Sequence, residues 1–516
     1  METLLPLPLL LFSSFSALFL YISVKAYYSL WWKPKRLEKH LRQQGIKGNP
    51  YKVLYGDTKE ELERFKEAWS RPMDELNHQI LPRVVPFTHQ MVQKYGKMCN
   101  IWVGPTPWVL IWDTEMVKEV FSDKSGCIKK PPANPLIKIL AQGVDSLEGE
   151  EWAKRRKTIT LAFHLEKLKR MVPAFVTSCT SLIKRWDDLV SAQGSSEVDV
   201  WPEFQILTKD AISRTAFGST YEEGKRLFQL QKEQAELAMQ AAQVPYVPGY
   251  RFIPTATNRR RMWIDKEIKT MLRRMIDEKL KSVETEGSDS NDLLGLLLRF
   301  TSGNDKKHAI RIEDVIEECK LFYFAGQETT STLLTWTLLL LSMHPVWQQR
   351  AREEVQRTCG KNTPDMESLN QLKAVSMILH EVLRLYPPVT FLLRQTYKKT
   401  KLGEFYFPPG VVLALPIILI HHDTEIWGDD AEEFNPERFS QGISKACQGG
   451  QNAFYPFGWG PISCLGQSFA MIEAKMALAT ILQHFSFELS PSYAHAPYNA
   501  VTLQPQHGAH IILHRL

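Results

Sequence analysis

The sequence predicts a mainly α-helical fold with a smaller β part, behind one N-terminal membrane helix. Helical patterns dominate the middle of the chain, where one long apolar helix is expected from Arg311 to His344, before Pro345. Short Val-, Ile- and Trp-rich pieces, typical of strands, occur over 98–112 and after Pro387. A chain of 516 residues with 44% hydrophobic content can also bury a large core.

The membrane helix is predicted by an uncharged stretch from Leu4 to Val24, which is long enough to cross a hydrocarbon core of about 30 Å. Tyr and Trp residues and then several Lys and Arg residues follow it, which places the body of the protein in the cytosol. A cleaved secretory signal is the alternative, but the stretch is long for one and has no clear cleavage site. We predict an anchor over 1–32, a basic Pro- and Gly-bearing hinge over 33–50 and one catalytic domain over 51–516.

Charge and cysteine usage agree with this organisation. The seven cysteines are scattered, without close pairs or metal-ligand spacing, which is typical of free thiols in a reducing compartment. The net charge of +6 comes partly from basic residues that follow the apolar stretch and would suit an anionic membrane surface. Basic clusters can also bind nucleic acid, but a cluster directly after a spanning helix argues against that partner.

One cysteine, Cys464, lies in a loop of glycines, aromatic residues and a proline, just before the last long helical pattern. Small residues allow backbone N–H groups to approach the sulfur, and the N-terminus of the following helix adds positive potential. Both effects favour a thiolate, which is the form that binds iron. A buried structural cysteine is the alternative. Three other groups of residues favour the iron ligand.

The first group lies in the middle of the long helix, which contains Ala325, Gly326, Glu328 and Thr329. A glycine, an acid and threonines weaken a helix and are costly to bury, so a chemical role would explain them. The small residues would leave open space beside the helix, the Thr329 hydroxyl can open a groove for water, and Glu328 can relay protons. A kinked helix with a surface glutamate is the alternative.

The second group is an acidic residue and an arginine, and the third is an aromatic residue with two arginines. Glu381 and Arg384 share one helix face within an apolar sequence, where a surface salt bridge is the alternative. Trp152 and Arg156 are one helical turn apart, and Arg394 lies in an apolar strand. Taken singly, each arginine would more often be an ordinary solvated side chain.

Together these residues resemble the cytochrome P450 family of heme-thiolate monooxygenases, over nearly the whole chain. The family's cysteine loop, Phe-x-x-Gly-x-Arg-x-Cys-x-Gly, is matched at Phe457, Gly460, Cys464 and Gly466. Ile462 stands where the family usually has an arginine that reaches a heme propionate.

The resemblance implies heme b, with Cys464 as the axial thiolate and metal ligand. It implies that Glu328 and Thr329 are catalytic, and that Ala325 and Gly326 leave room for O₂ over the iron. It gives Glu381, Arg384 and Arg438 a structural role, in which they lock the loop that presents the cysteine. The heme-binding residues that it implies are Cys464, Trp152, Arg156, Arg394, Phe457, Ala325 and Gly326.

The resemblance further implies an NADPH- and O₂-dependent monooxygenase of the endoplasmic reticulum membrane. Electrons would come from NADPH–cytochrome P450 reductase, the substrate would be a hydrophobic small molecule, and no nucleic acid would bind. The segments 48–51, 322–330 and 490–497 resemble the plant group that contains secologanin synthase. Members of that group oxidise triterpenoids, iridoid glucosides or gibberellin-type diterpenes, and a triterpenoid is the first choice here.

Two alternatives stay open beside the monooxygenase. The first is a heme-thiolate isomerase or dehydratase that needs no external electrons, and Glu328 and Thr329 argue against it. The second is a catalytically weakened or silent heme protein, an interpretation that Ile462 supports.

Overall fold

The computed structural model describes residues 7–190, 194–244, 246, 248–286, 292–302, 310–448 and 452–516. Its α-helices, in chain order, are α1 (Leu7–Tyr27), α2 (Lys33–Gln43), α3 (Thr58–Ala68), α4 (Leu81–Val84), α5 (Pro86–Tyr95), α6 (Thr114–Phe121), α7 (Gly149–Thr160), α8 (Leu165–Val190), α9 (Val200–Ile212), α10 (Tyr221–Ala242), α11 (Ala256–Glu286), α12 (Leu293–Ser302), α13 (Ile312–Met343), α14 (Pro345–Cys359), α15 (Met366–Gln371), α16 (Lys373–Leu385), α17 (Ile417–His421), α18 (Thr424–Trp427) and α19 (Gln467–His484).

The β-strands are shorter. In chain order they are β1 (Lys47–Gly48), β2 (Cys99–Val103), β3 (Thr106–Leu110), β4 (Ile128–Lys129), β5 (Ser195–Asp199), β6 (Leu392–Thr396), β7 (Thr400–Leu402), β8 (Phe405–Phe407), β9 (Val412–Leu415), β10 (Phe485–Leu489), β11 (Pro497–Asn499), β12 (Leu503–Pro505) and β13 (His510–Arg515). The expected mainly α fold with a smaller β part is confirmed.

Helix α1 covers most of the anchor predicted over 1–32, whose residues 1–6 lie outside the described residues. Among the helices that the structure describes, none combines the length and apolarity needed to cross a membrane. Helix α2 occupies much of the segment predicted as a hinge, and its Leu37 and Leu41 are buried. The division into an anchor, a hinge and a catalytic domain stays a prediction.

The chain forms two compact units. The first comprises Met1–Lys66, Pro86–Pro131 and Leu393–Leu415, and it contains a six-stranded sheet in the order β1-β2-β3-β9-β6-β4. Strands β2 and β3 are antiparallel, whereas β3 and β9 are parallel. Every residue of β9 is buried, which agrees with its continuous apolar sequence.

The second unit comprises Glu67–Val85, Pro132–Leu392 and Pro416–Leu516, and most of it is helical. Helix α13 runs through its core and packs on α9, α16 and α19. Its second half is buried, and the indole Nε1 of Trp336 donates to the Leu503 carbonyl at 2.7 Å. The antiparallel sheet β10-β13-β5 also lies in this unit.

The limits of α13 follow local chemistry. The sequence predicts a helix from Arg311 to His344, and the structure has it from Ile312 to Met343. Glu313 and Asp314 lie in its first turn, where carboxylates interact favourably with the helix dipole. Pro345 then begins α14, at a position where its missing N–H costs no hydrogen bond.

Candidate active site

The loop before α19 presents Cys464. The Cys464 backbone N–H donates to the Phe457 carbonyl at 2.7 Å, which closes the turn. Gly458 and Gly460 have φ values of +72° and +62°, a conformation that side chains disfavour. Cys464 is exposed, whereas Phe469, five residues further on, is buried. The loop therefore holds an accessible sulfur inside the helical unit.

Two opposed effects act on this thiol. Although the residue keeps accessible surface, the protein packed around the loop partly desolvates the sulfur and so raises the pKa of Cys464 above its ordinary value. The Gly466 backbone N–H and the positive charge of Arg156 lower the pKa, because both stabilise a thiolate. A bound metal cation would favour the thiolate further.

Trp152 and Arg156 lie together on α7, as their spacing predicts. The Arg156 guanidinium lies 5.5 Å from the centre of the Trp152 ring. Its Nη2 donates to the Ser463 carbonyl at 2.7 Å, directly before Cys464 in the chain. A half-buried cation thus lies beside the cysteine loop, in a place where it could pair with a carboxylate of a bound cofactor.

Phe163, which the sequence analysis missed, lies between the cysteine loop and helix α13. A Cβ atom placed on Gly466 would lie 3.9 Å from the Cys464 sulfur and 4.0 Å from the Phe163 ring. The Phe163 ring is 6.1 Å from that of Phe322 in α13. Ala325, one turn beyond Phe322, is exposed although much of this core helix is buried.

The carboxylate of Glu328 is held by a neighbour on its own helix and by two residues near the C-terminus, a link that the sequence analysis did not predict. Gln327 Nε2 donates to it at 2.6 Å and the Thr502 hydroxyl at 3.2 Å, and Gln504 Nε2 donates as well. The Thr329 hydroxyl donates to the Ala325 carbonyl at 2.9 Å, as expected for a threonine that bonds to its own helix. No local sequence signal links 502–504 with residue 328.

Gly326 packs against α9. A Cβ atom at this position would lie 2.9 Å from Ile212 Cδ1, so the Ile212 side chain would have to move to admit any side chain there. The Thr208 hydroxyl of α9 also donates to the Gln327 carbonyl at 3.0 Å. Close helix packing therefore explains the glycine, and its predicted part in leaving room for O₂ stays a prediction.

Glu381 and Arg384 are fully buried, which removes the interpretation as a surface salt bridge. Arg384 Nε and Nη2 donate to the two Glu381 carboxylate oxygens at 2.8 and 2.7 Å. Arg438 Nε lies 3.6 Å from the same carboxylate, but its Nη2 makes a shorter bond of 2.8 Å to Asp430. The predicted group of three is present, with Asp430 as a fourth member.

His421 connects this group to the cysteine loop, and sequence reasoning missed it. Its Nδ1 lies 3.2 Å from the Arg384 carbonyl, and its Nε2 accepts the Tyr455 N–H at 3.0 Å. An imidazole in this arrangement carries its proton on Nδ1 and is neutral. Burial lowers the pKa of His421 well below its ordinary value, which agrees with the neutral form.

A second missed residue is Glu473 of α19. It is 2% exposed, and burial raises its pKa well above the ordinary value. The nearby Thr330 hydroxyl of α13 opposes this shift, although the two side chains are not placed to form a hydrogen bond. Such surroundings favour the neutral form of the carboxyl group. Glu473 lies on α19, the helix that follows Cys464, and its side chain is near Thr330 of α13, the helix that carries Glu328.

Arg394 is in the first unit, in β6. Its Nη1 donates to the carbonyl of Leu393 at 2.7 Å. Its assignment to a heme propionate stays a prediction.

The residues of the second unit fit a heme iron better than a multi-ligand metal ion. Cys464 offers one accessible sulfur with Arg156 beside its loop, and Ala325 provides a small accessible surface on α13. No group of three or more His, Cys, Asp or Glu residues suited to a metal occurs in the described ranges. A single thiolate with open space around it is what heme requires of the protein.

This fold and site define the heme-thiolate class of proteins. A profile of the family described as cytochrome P450 matches residues 79–511, and the chain belongs to this family. It is 58% identical over 492 residues to Cytochrome P450 CYP72A616 of Paris polyphylla, an alignment that covers 94% of this chain and 95% of the relative. It is 53% identical over 518 residues to Cytochrome P450 CYP72A219 of Panax ginseng, with 99% of both chains covered. Identity to Cytochrome P450 72A15 of Arabidopsis thaliana is 52% over 488 residues, covering 94% of this chain and 95% of the relative.

The chain is therefore a cytochrome P450 monooxygenase of plant type. Its cofactor is heme, with iron bound by a cysteine thiolate. A reductase supplies its electrons, and it acts on a substrate with O₂. The resemblance to the secologanin synthase group is consistent with these relatives.

Proposed function

We propose that this cytochrome P450 hydroxylates a hydrophobic plant terpenoid, with a triterpenoid as the first choice and iridoid or gibberellin-type substrates as the others. The observation that carries this proposal is an apolar cluster that reaches Phe324 of α13, the neighbour of Ala325 in the chain. Leu140, Ala235 and Ala238 form its buried part, and Ile137, Phe324 and Val501 pack against them. The two alanines of α10 are small, which favours a wide, rigid hydrocarbon ligand over a narrow one.

Cys464 is the residue we assign to the heme iron, with Arg156 and Trp152 toward a propionate. When bound, heme supplies O₂ activation: one oxygen atom enters a C–H bond of the substrate and the other leaves as water, with two electrons and two protons consumed. The apolar cluster orients the substrate and excludes water.

Proton delivery is the task we assign to Glu328 and Thr329. Hydrogen bonds from Thr502 and Gln504 hold the Glu328 carboxylate in one orientation. The Thr329 hydroxyl, bonded to the Ala325 carbonyl, lies one residue further along the same helix. Glu328 would take a proton from the solvent side and pass it towards the oxygen through Thr329 or a water.

We also propose that the predicted anchor segment over 1–32, which includes α1, attaches the protein to the endoplasmic reticulum membrane, with NADPH–cytochrome P450 reductase as the electron donor. The apolar sequence of α1 and the basic residues of α2 support this location. The silent-protein alternative rests on Ile462, which is half-buried in the turn Gly460–Ile462. Arg156 places a cation beside that turn, which favours heme binding.

The assignment of the iron ligand predicts that Cys464→Ser abolishes the red-shifted Soret band in the reduced, carbon-monoxide difference spectrum, because a hydroxyl cannot replace the thiolate. The matched control is Cys447→Ser, which alters another cysteine of the same unit and should keep the band. A normal band in Cys464→Ser would exclude this cysteine as the ligand.

The substrate class predicts NADPH- and O₂-dependent products from triterpenoids when membranes carrying this chain and a plant reductase are supplied with them. Each first product should gain one oxygen atom by mass spectrometry. Iridoid glucosides and gibberellin-type diterpenes are tested in parallel. Turnover of these alone would replace the triterpenoid, and no turnover of any terpenoid by protein with a normal Soret band would refute the substrate class.

A further inference from the structure

Two buried side chains of opposite charge on α13 hold one loop at two points. Glu318 and Lys320 are both 0% exposed. The Val144 N–H donates to Glu318 Oε2 at 2.9 Å, and Lys320 Nζ donates to the Ile139 carbonyl at 3.0 Å. The loop segment 139–144 is thus bound by an acceptor and a donor from a single helical turn.

Each of these charges has a partner on another helix. Arg155 of α7 lies 2.9 Å from Glu318, and Asp265 of α11 lies 2.7 Å from Lys320. Glu317 also lies 3.2 Å from the Lys320 ammonium. Charge-assisted hydrogen bonds in a buried setting are strong, and the loss of one partner leaves an uncompensated charge. We call Glu318, Lys320 and their two bonds to the loop the α13 clamp.

The loop sequence is adapted to this clamp at Gly143. Its φ is +58°, and a Cβ atom added there would lie 2.6 Å from Glu318 Oε2. Gly149 has a similar φ of +62°, but nothing lies within 4 Å of its added Cβ atom. The two glycines therefore share a backbone conformation, but only at Gly143 would a side chain collide with Glu318.

Two residues of the clamped loop form one side of the apolar cluster. Leu140 is part of the cluster and Ile137 packs against it, on either side of the clamped Ile139. Phe324, four residues after Lys320 on α13, packs against the same cluster. A change in the loop's distance from α13 would therefore change the distance between Leu140 and Phe324.

We propose that Glu318 and Lys320 are positioning residues that set the substrate-size selectivity of this enzyme by holding Ile137 and Leu140 at a fixed distance from α13. The proposal rests on the proposed function in one respect, that the apolar cluster is the substrate pocket. Glu318 and Lys320 act through the loop. Loosening the clamp widens the range of bound ligands without changing the chemistry at Cys464.

The first test compares Gly143→Ala with Gly149→Ala in the full-length, heme-loaded protein. Both variants place a methyl group at a left-handed position, so both carry the same backbone strain. Only in Gly143→Ala does the added methyl group collide with the Glu318 carboxylate. Hydrogen exchange of the amides in 137–144 should rise by about tenfold or more in Gly143→Ala and stay near the wild-type rate in Gly149→Ala.

The second test compares Lys320→Met with Lys269→Met. Lys269 pairs with the same Asp265 and Glu317 but is 41% exposed and makes no bond to the loop. For substrates of different size, Lys320→Met should change the ratio of kcat/KM between the largest and smallest by about fivefold or more, mainly through KM. Lys269→Met should leave this ratio unchanged.

Unchanged exchange in Gly143→Ala, or an unchanged size ratio in Lys320→Met with a normal carbon-monoxide spectrum, would overturn the proposal. If Lys320→Met fails to fold, Gly143→Ala decides, since it removes no charge. If the wild-type enzyme accepts no terpenoid, the proposed function fails, but the exchange measurement still decides whether the clamp holds the loop.

Discussion

Arg384→Leu is expected to lower the free energy of unfolding by about 3–5 kcal/mol and to leave little protein with bound heme. The fully buried Glu381 carboxylate would lose the two donors that reach it at 2.8 and 2.7 Å. The carbonyls of His421, Ala431 and Glu433 would each lose the donor that Arg384 provides. Unfolding in urea and the heme content of the purified protein measure the two effects.

The matched control is Arg350→Leu. Arg350 pairs with Glu437 at 2.8 Å, but both side chains are about half exposed, so the loss should be below about 1 kcal/mol. Arg384→Lys keeps the charge but loses the bidentate guanidinium, and its stability should fall between those of Arg384→Leu and Arg350→Leu. Equal stability of Arg384→Leu and Arg350→Leu would mean that the buried pair does not support the fold.

Acidification from pH 6.5 to pH 5 is expected to destabilise the protein through histidines that are buried in the neutral form. Burial lowers the pKa of His422 to about 3 and that of His495 to about 4, and it lowers the pKa of His78 and His421 well below the ordinary value. The unfolded chain therefore takes up protons first, below about pH 6.5. Each such histidine removes about 1.4 kcal/mol of stability per pH unit, from there down to its pKa in the folded protein. Glu473, whose pKa is raised, acts in the opposite direction.

One variant measures the contribution of a single histidine to this pH dependence of stability. His422 Nε2 lies 2.9 Å from the Leu385 carbonyl, a bond that a glutamine amide can replace. His422→Gln should make the slope of unfolding free energy against pH shallower by about 1.4 kcal/mol per unit between pH 5 and 6.5. The exposed His484, changed to Gln, is the control. An unchanged slope in His422→Gln would show that this histidine is charged in the folded protein.

The parts of the site that sequence patterns indicate are those built from neighbours in the chain. Trp152 and Arg156 lie one helical turn apart, and the Phe457–Gly466 loop is continuous. In both cases local spacing predicts the arrangement, because helix and turn geometry is nearly constant. The residues that were missed act across long separations: Thr502 is 174 residues from Glu328, and His421 is 34 from Tyr455. A single sequence contains no periodic signal for such contacts.

The sequence by itself determined the mainly helical fold and the limits of α13 to within one residue, since glycines, prolines and apolar spacing act on their immediate neighbours. The class of protein followed from the resemblance of the cysteine loop and the α13 motif to a known family. Only the tertiary structure decided which polar groups are buried. Arg384–Glu381 and Arg350–Glu437 are both Arg–Glu pairs with an N···O distance below 3 Å, yet one is fully enclosed and the other is half exposed. Burial depends on the packing of elements far apart in the chain, and it decides whether such a pair supports the fold or contributes little.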